Sequence, residues 1–239
     1  MEQVFDIGPI INLNIIDEKL AILANLNYDT EYLEVGYYFL CDLMIINLPE
    51  DELVAGLIKY INALVDHNLP LDLAKEMITY FGFKLVRLEH SISKPVAKHA
   101  SNRFLPLEMA FGEQLSMVRQ HLASVYELKG KWEKAIQALK SIELETGIHG
   151  QYSSNYKLGT YLRLSRFYLE IHNGEEAESY INRAGYTLVD AEDESLHTDF
   201  KVGCARVLDF QQKFIDAAQH YHDLATCEYQ PRVQLRSPT

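Results

Sequence analysis

Alanine recurs at positions 135, 177 and 217, and tyrosine at 126 and 168, so one pattern returns along the chain at a regular interval. Each alanine lies just after a turn signal and inside an apolar stripe with helical spacing. The stripes are Trp132, Ala135, Ile136 and Leu139, then Ala177, Tyr180, Ile181 and Ala184, then Phe214, Ala217, Ala218, Tyr221 and Leu224. A second stripe precedes each turn: Leu115, Val118, Leu122 and Val125; then Leu158, Tyr161, Leu162, Phe167, Tyr168 and Ile171; then Phe200, Cys204, Val207 and Leu208. Self-similarity at a period of about 40 residues marks a helical repeat array, in which neither helix of a pair can bury its apolar face alone. A small residue recurring at one position fits the point where paired helices approach most closely. Gly130 is placed to end one helix in a left-handed conformation, and Asn173-Gly174 to make the next turn.

Proline placement extends this reading to the rest of the chain. Pro9, Pro49, Pro70, Pro95 and Pro106 fall in the first part of the chain, and none follows until Pro231. Proline inside a helix costs about 3 kcal/mol, so the first part predicts shorter helices divided at prolines. Asp17 is positioned to cap a helix running through EKLAILANL, and Glu31–Asn47 reads as a helix buried on several sides. Residues 51–66 and 71–90 each carry one apolar face at three- and four-residue spacing. Residues 190–199 hold five acids and no base, and read as a solvated loop between pairs. The organisation expected is a helical arm over 1–110, helical repeats over 111–227, and a disordered tail over 228–239.

Charge narrows the partners. The net charge is −12, and residues 1–50 hold nine acids against Lys19 alone. Phosphate neutralisation needs a basic surface, so no nucleic-acid partner is expected. Residues 84–103 reverse the balance, with Lys84, Arg87, Lys94, Lys98 and Arg103 facing only Glu89. Ser91 to Asn102 holds Pro95 and no evident helical period, and reads as a loop. The plainer reading is a solvated linker; the sharper one is a basic patch that meets an acidic partner.

Catalytic signatures are missing from the sequence. No Gly-x-Ser-x-Gly elbow, phosphate-binding glycine loop or His-Glu-x-x-His occurs. His220 and His222 lie two apart, which sends their side chains to different sides of a helix. Cys204 sits on an apolar face as a small core residue, and Cys227 is expected to be unpaired. Three separated cysteines without CxxC suit a reducing compartment, the cytoplasm or nucleus. The most apolar stretch, Val35 to Leu48, is too short to span a bilayer, so no membrane partner is expected. No cofactor, metal or catalytic residue is assigned.

Tetratricopeptide repeats are the nearest alternative array, but their unit is shorter than the spacing seen here. Their peptide-clamping forms present cations on the first helices. Arg119, Lys157, Arg163, Arg166, Lys201 and Arg206 offer a partly basic face here, more simply read as ordinary helix-surface charge.

Longer strings carry a more specific likeness. VRQHLASVY (118–126), LETG (144–147), YKL (156–158), TYL (160–162), Arg166, YLE (168–170), Ala177-Glu178, YINRA (180–184), Lys201-Val202, ARVLD (205–209) and KFIDAAQ (213–219) resemble the COP9 signalosome subunit 4 family of PCI-domain proteins. The likeness covers about residues 115–224, is weaker over 50–114, and does not extend to 1–49. It implies an all-α fold, a right-handed superhelical solenoid of antiparallel helix pairs of the TPR-like, PCI N-terminal type. It also implies that the chain ends before the family's winged helix, as a fragment or truncated form.

In function, the resemblance implies a non-catalytic scaffold and substrate-sensing subunit of the complex that deneddylates cullins in cullin-RING ubiquitin ligases. Its partners would be the other signalosome subunits and the cullin-RING ligase, with the zinc-dependent isopeptidase in a different subunit. The alternatives are a proteasome lid PCI subunit, a free-standing repeat adaptor that binds peptides, and an enzyme with an unrecognised site.

Overall fold

The computed structural model describes residues 12–25, 30–67, 69–144 and 152–228. These form eleven α-helices and one 3-10 turn, with no strand among the described residues. The helices are α1 (Leu13–Asn25), α2 (Thr30–Asn47), α3 (Glu50–Asp66), α4 (Leu71–Arg87), α5 (His90–Phe104), α6 (Glu108–Leu128), α7 (Trp132–Lys140), α8 (Ser154–Glu170), α9 (Gly174–Leu188), α10 (Glu194–Phe210) and α11 (Phe214–Glu228). The chain divides into two compact units, with the break at Lys129–Gly130.

The first unit contains α1 to α6. Each helix packs on its successor or on the next but one, so α1, α3 and α5 share one layer and α2, α4 and α6 the other. Its core holds Ile16, Leu23, Tyr37, Leu40, Met44, Leu57, Tyr60, Ile61, Phe81 and Phe104, all essentially inaccessible to solvent. A line of rings crosses the layers: Tyr37 meets Tyr60 at 5.9 Å between centroids, and Tyr60 meets Phe81 at 6.0 Å. Burying such side chains contributes about 1.5–3 kcal/mol each. The Tyr60 hydroxyl donates to the Tyr37 carbonyl, and Tyr37 shares a 2.7 Å hydrogen bond with His67 Nδ1, so this core leaves neither phenol unsatisfied.

Polar links within each unit recur at the repeat spacing. Lys59 meets Asp17 at 2.5 Å, Lys84 meets Asp42 at 2.6 Å, Arg103 pairs with Asp66, and His99 bonds Asn62 at 3.0 Å. In the second unit, Arg206 meets Glu170 at 3.2 Å and the Gln211 amide donates to Glu178 at 2.8 Å. All but the last join a helix to its counterpart in the neighbouring pair, and Gln211, at the end of α10, ties that helix to α9; such links help fix the register of the stack.

The second unit holds α7 and the hairpins α8–α9 and α10–α11, with α10 packed on both α8 and α9. Ala135, Ala177 and Ala217 are all buried, as the repeat requires. The helices expected for Leu115–Gly147 are present as the latter part of α6 and as α7. Residues 145–147 lie outside the described residues, as does the tail expected over 228–239 apart from Glu228, which is not tail but the last residue of α11.

The turns depart from expectation in an informative way. Gly130 has φ 62, the left-handed end foreseen for it. In the next pair that conformation belongs to His172 (φ 58), not Gly174, and in the third to Gln212 (φ 62). The backbone amides of Asn173 and Lys213 reach back to the carbonyls of Tyr168 and Leu208, closing Schellman ends that override the side-chain preference. Gly174 instead opens α9, where a Cβ would stand 2.7 Å from the Phe210 ring. Gln212→Gly should therefore raise unfolding free energy by about 1 kcal/mol, the order of the left-handed penalty it relieves. His172→Gly should gain less, because it also removes a ring stacked on Phe210 at 6.1 Å. Urea midpoints at constant m-value check both.

Three further expectations are corrected. Asp17 does not cap α1: Asn12 does, its side chain accepting from Ile15 N at 3.1 Å, while Asp17 lies inside the helix and pairs with Lys59. Residues 194–199 are not loop but the start of α10, capped by Asp193, which accepts from Ser195 N. Ser91–Asn102 is not a loop either, since α5 runs through it with Pro95 inside. Ile92, Ser93, Val96, Ala97, Ala100 and Phe104 form its buried face. This stripe keeps helical spacing but is built of small residues, so it is weak in hydropathy. Pro95 forfeits its bond to the Ser91 carbonyl near the helix start, where Ser91 is exposed and water can replace it.

Candidate interaction surface

Among the described residues, no three His, Cys, Asp or Glu side chains gather as a metal site, and no helix is long and apolar enough to cross a membrane. Burial pushes the Cys41 thiol up to about 12, and the half-buried Cys204 thiol is also raised by burial. Both are therefore poor nucleophiles. His220 and His222 are exposed on α11.

The five cations singled out in the sequence do not form one face. Lys84 and Arg87 lie on α4; Lys94, Lys98 and Arg103 lie on α5, in the other layer. Asp42 engages Lys84 and also accepts the Tyr80 hydroxyl at 2.8 and 2.9 Å. The Lys84 ammonium also stands 4.9 Å from the Tyr80 ring centroid. Its pKa is raised, first by the hydrogen bond to Asp42 and then by Tyr80. Arg103 is held by Asp66, and Lys94 is half-buried with its ammonium 5.5 Å from the Tyr126 ring. Arg87 and Lys98 are exposed, with no ionic partner among the described residues. Two of the five cations are thus exposed, while the other three make contacts within the fold.

Among the other cations, Arg119 is buried in α6, and Arg206 is paired with Glu170. Arg163 and Arg166 lie 5.6 and 5.5 Å from the Phe167 ring, covering it. The partly basic face read from these positions is thus largely turned to packing. Sequence reasoning did not single out the exposed apolar positions Phe83 and Val86 beside Arg87, or Ile215 on α11; Phe214 and Tyr221, which it placed in the apolar stripe of the third pair, are exposed as well.

Antiparallel helix pairs recurring at a regular period, tied by polar links at the same spacing, place the chain in the class of all-α helical-repeat proteins. The chain belongs to the PSMD12/CSN4 N-terminal family, whose model matches residues 19–230. It is similar to COP9 signalosome complex subunit 4 of Drosophila melanogaster, 38% identical over 174 residues, covering 73% of this chain and 42% of the relative. The Arabidopsis thaliana protein of that name is 31% identical over 170 residues, covering 71% and 43%. The Dictyostelium discoideum protein is 30% identical over 180 residues, covering 75% and 46%. The chain therefore spans less than half the length of each of these relatives.

Proposed function

We propose that the chain is a non-catalytic scaffold and substrate-sensing subunit of the COP9 signalosome, the complex that deneddylates cullins in cullin-RING ubiquitin ligases. The observation that carries this reading is the family match across residues 19–230, together with relatives that bear the signalosome subunit 4 name. Supporting it, the described residues spend their polar groups on joining helices rather than on gathering a reactive site. Its partners are the other signalosome subunits and the cullin-RING ligase, in cytoplasm and nucleus, and a partner subunit supplies the zinc isopeptidase. Nucleic acid and membrane play no part.

Within this reading, Arg87 and Lys98 are the cations offered to an acidic surface of the ligase. The double charge reversal Arg87→Glu/Lys98→Glu should weaken binding to a purified cullin–RING assembly by about tenfold at low salt, or about 1.4 kcal/mol. The difference should shrink as salt is raised. Interferometry with both forms of the chain measures it, and equal affinities would remove the basic patch from the account. Lys84→Glu is a poor test, because it sets two carboxylates against each other at Asp42 and perturbs the fold.

A further inference from the structure

Tyr37 and His67 fix the positions of each other's protons. Tyr37 is fully buried on α2, and its hydroxyl lies 2.7 Å from Nδ1 of His67, the residue that caps the end of α3. The two rings also meet at 6.4 Å between centroids. A neutral phenol has one proton to donate, and burial holds the Tyr37 phenol above the usual tyrosine value, so that proton stays in place. Were Nδ1 the donor, the phenol proton would sit in a site closed to water without the acceptor it now has, which is costly. Tyr37 therefore donates, and Nδ1 accepts with a bare lone pair. Neutral His67 carries its own proton on Nε2.

Protonation removes that lone pair. An imidazolium presents N–H at both nitrogens, so Nδ1 can no longer accept and the Tyr37 hydroxyl loses its acceptor. Tyr37 also carries the α2 end of the ring line, since its carbonyl accepts from Tyr60 and its ring meets Tyr60. The charges around His67 pull in both directions. Asp66 on its own helix favours the proton, as does the carbonyl end of α3. From α5, Arg103 pairs with Asp66 and blunts its pull, while His99 is engaged by Asn62. From α2 the facing group is the Tyr37 phenol itself, and no ionisable group of α1 or α4 acts on His67 among the described residues. Burial opposes the proton and prevails, so His67 sits below the ordinary histidine value.

We propose that Tyr37 and His67 form an acid-released latch: a proton taken up on Nδ1 of His67 frees α2 from the end of α3 and loosens the first unit there. The folded chain favours neutral His67, so the unfolded chain binds more protons as pH falls below the ordinary histidine value of about 6.5. The latch is fully stabilising above that pH, and its contribution is lost as pH falls through the lower value of the folded chain. It is closed at neutral pH and opened by mild acid. This pH response goes beyond the scaffold reading. It rests on the core of the first unit alone, and its test does not depend on complex membership.

The test must single out His67, because His121 on α6 is also lowered, by burial and by His90, and adds a pH dependence of its own. Nitrogen-15 NMR of the full chain labelled at histidine resolves it, with the His67 signals identified by their absence in His67→Asn. At about pH 7.5 His67 should show a bare Nδ1 and a protonated Nε2. Its titration midpoint should move up toward the ordinary value in Tyr37→Phe, which has no hydroxyl to donate to Nδ1. Amide hydrogen exchange, corrected for its intrinsic pH dependence, should quicken across α2 by about tenfold between about pH 7.5 and about pH 5. It should quicken far less in His67→Asn, whose side-chain oxygen takes the place of Nδ1 and accepts at every pH. A proton on Nδ1 of neutral His67, an unmoved midpoint in Tyr37→Phe, or equal quickening in His67→Asn would each overturn the proposal. Tyr37→Phe keeps the buried ring, and an unchanged circular dichroism spectrum verifies its fold; were it to unfold, the tautomer and the His67→Asn comparison still decide.

Discussion

Phe167→Ala is expected to lower the unfolding free energy of its unit by about 3–5 kcal/mol, the usual cost of removing a buried aromatic ring. Phe167 is fully buried on α8, with the Trp132 ring 5.7 Å away and two guanidinium groups above it. Truncation leaves a cavity that rigid helices on either side cannot close, and it removes the ring on which α7 rests. A loss of this size is a large part of the roughly 5–15 kcal/mol that holds a typical domain folded. Trp132 is the chain's one tryptophan, so urea unfolding followed by its fluorescence reports directly on this contact. Phe167→Leu, which keeps most of the volume, should cost below about 1.5 kcal/mol. A loss below about 1 kcal/mol for the alanine variant, far under the usual cost, would show that Phe167 does not hold α7 on α8.

Phe81→Ala should be comparably damaging in the first unit, again about 3–5 kcal/mol. Phe81 ends the line of rings that crosses from α4 through Tyr60 on α3 to Tyr37 on α2. Burial holds the Tyr60 and Tyr37 phenols well above the usual tyrosine value, so both stay neutral and keep their internal hydrogen bonds. Without Phe81, Tyr60 loses the ring beside it and water gains a route to those bonds. Near-ultraviolet circular dichroism should show weakened tyrosine signal before the helices melt, and the urea midpoint should fall by the same free energy. An unchanged tyrosine signal would mean that Phe81 packs without ordering its neighbours.

The sequence revealed the array because alanine marks where helices touch, and burial at Ala135, Ala177 and Ala217 follows from that contact. It hid α5 because Ser93, Ala97 and Ala100 carry a helical stripe without the hydropathy that makes such stripes visible. The left-handed ends at His172 and Gln212 were hidden too, because only the equivalent Gly130 advertises its conformation by residue type.

The candidate patch was half legible. Its five cations were apparent, but the acids that neutralise Lys84 and Arg103 lie far back in the chain, at Asp42 and Asp66. Those separations are near the repeat period, and opposite charges one period apart are the signal that would have separated structural cations from available ones. No local pattern could reveal that Lys84 and Lys98 sit in different layers, because that depends on α5 being a helix.

Recovery of the tagged chain from cells, followed by quantitative identification of co-purifying proteins, tests the scaffold reading most directly. The account predicts that other signalosome subunits and cullins are enriched together over an untagged control. Absence of both, with the chain folded and expressed, would contradict it.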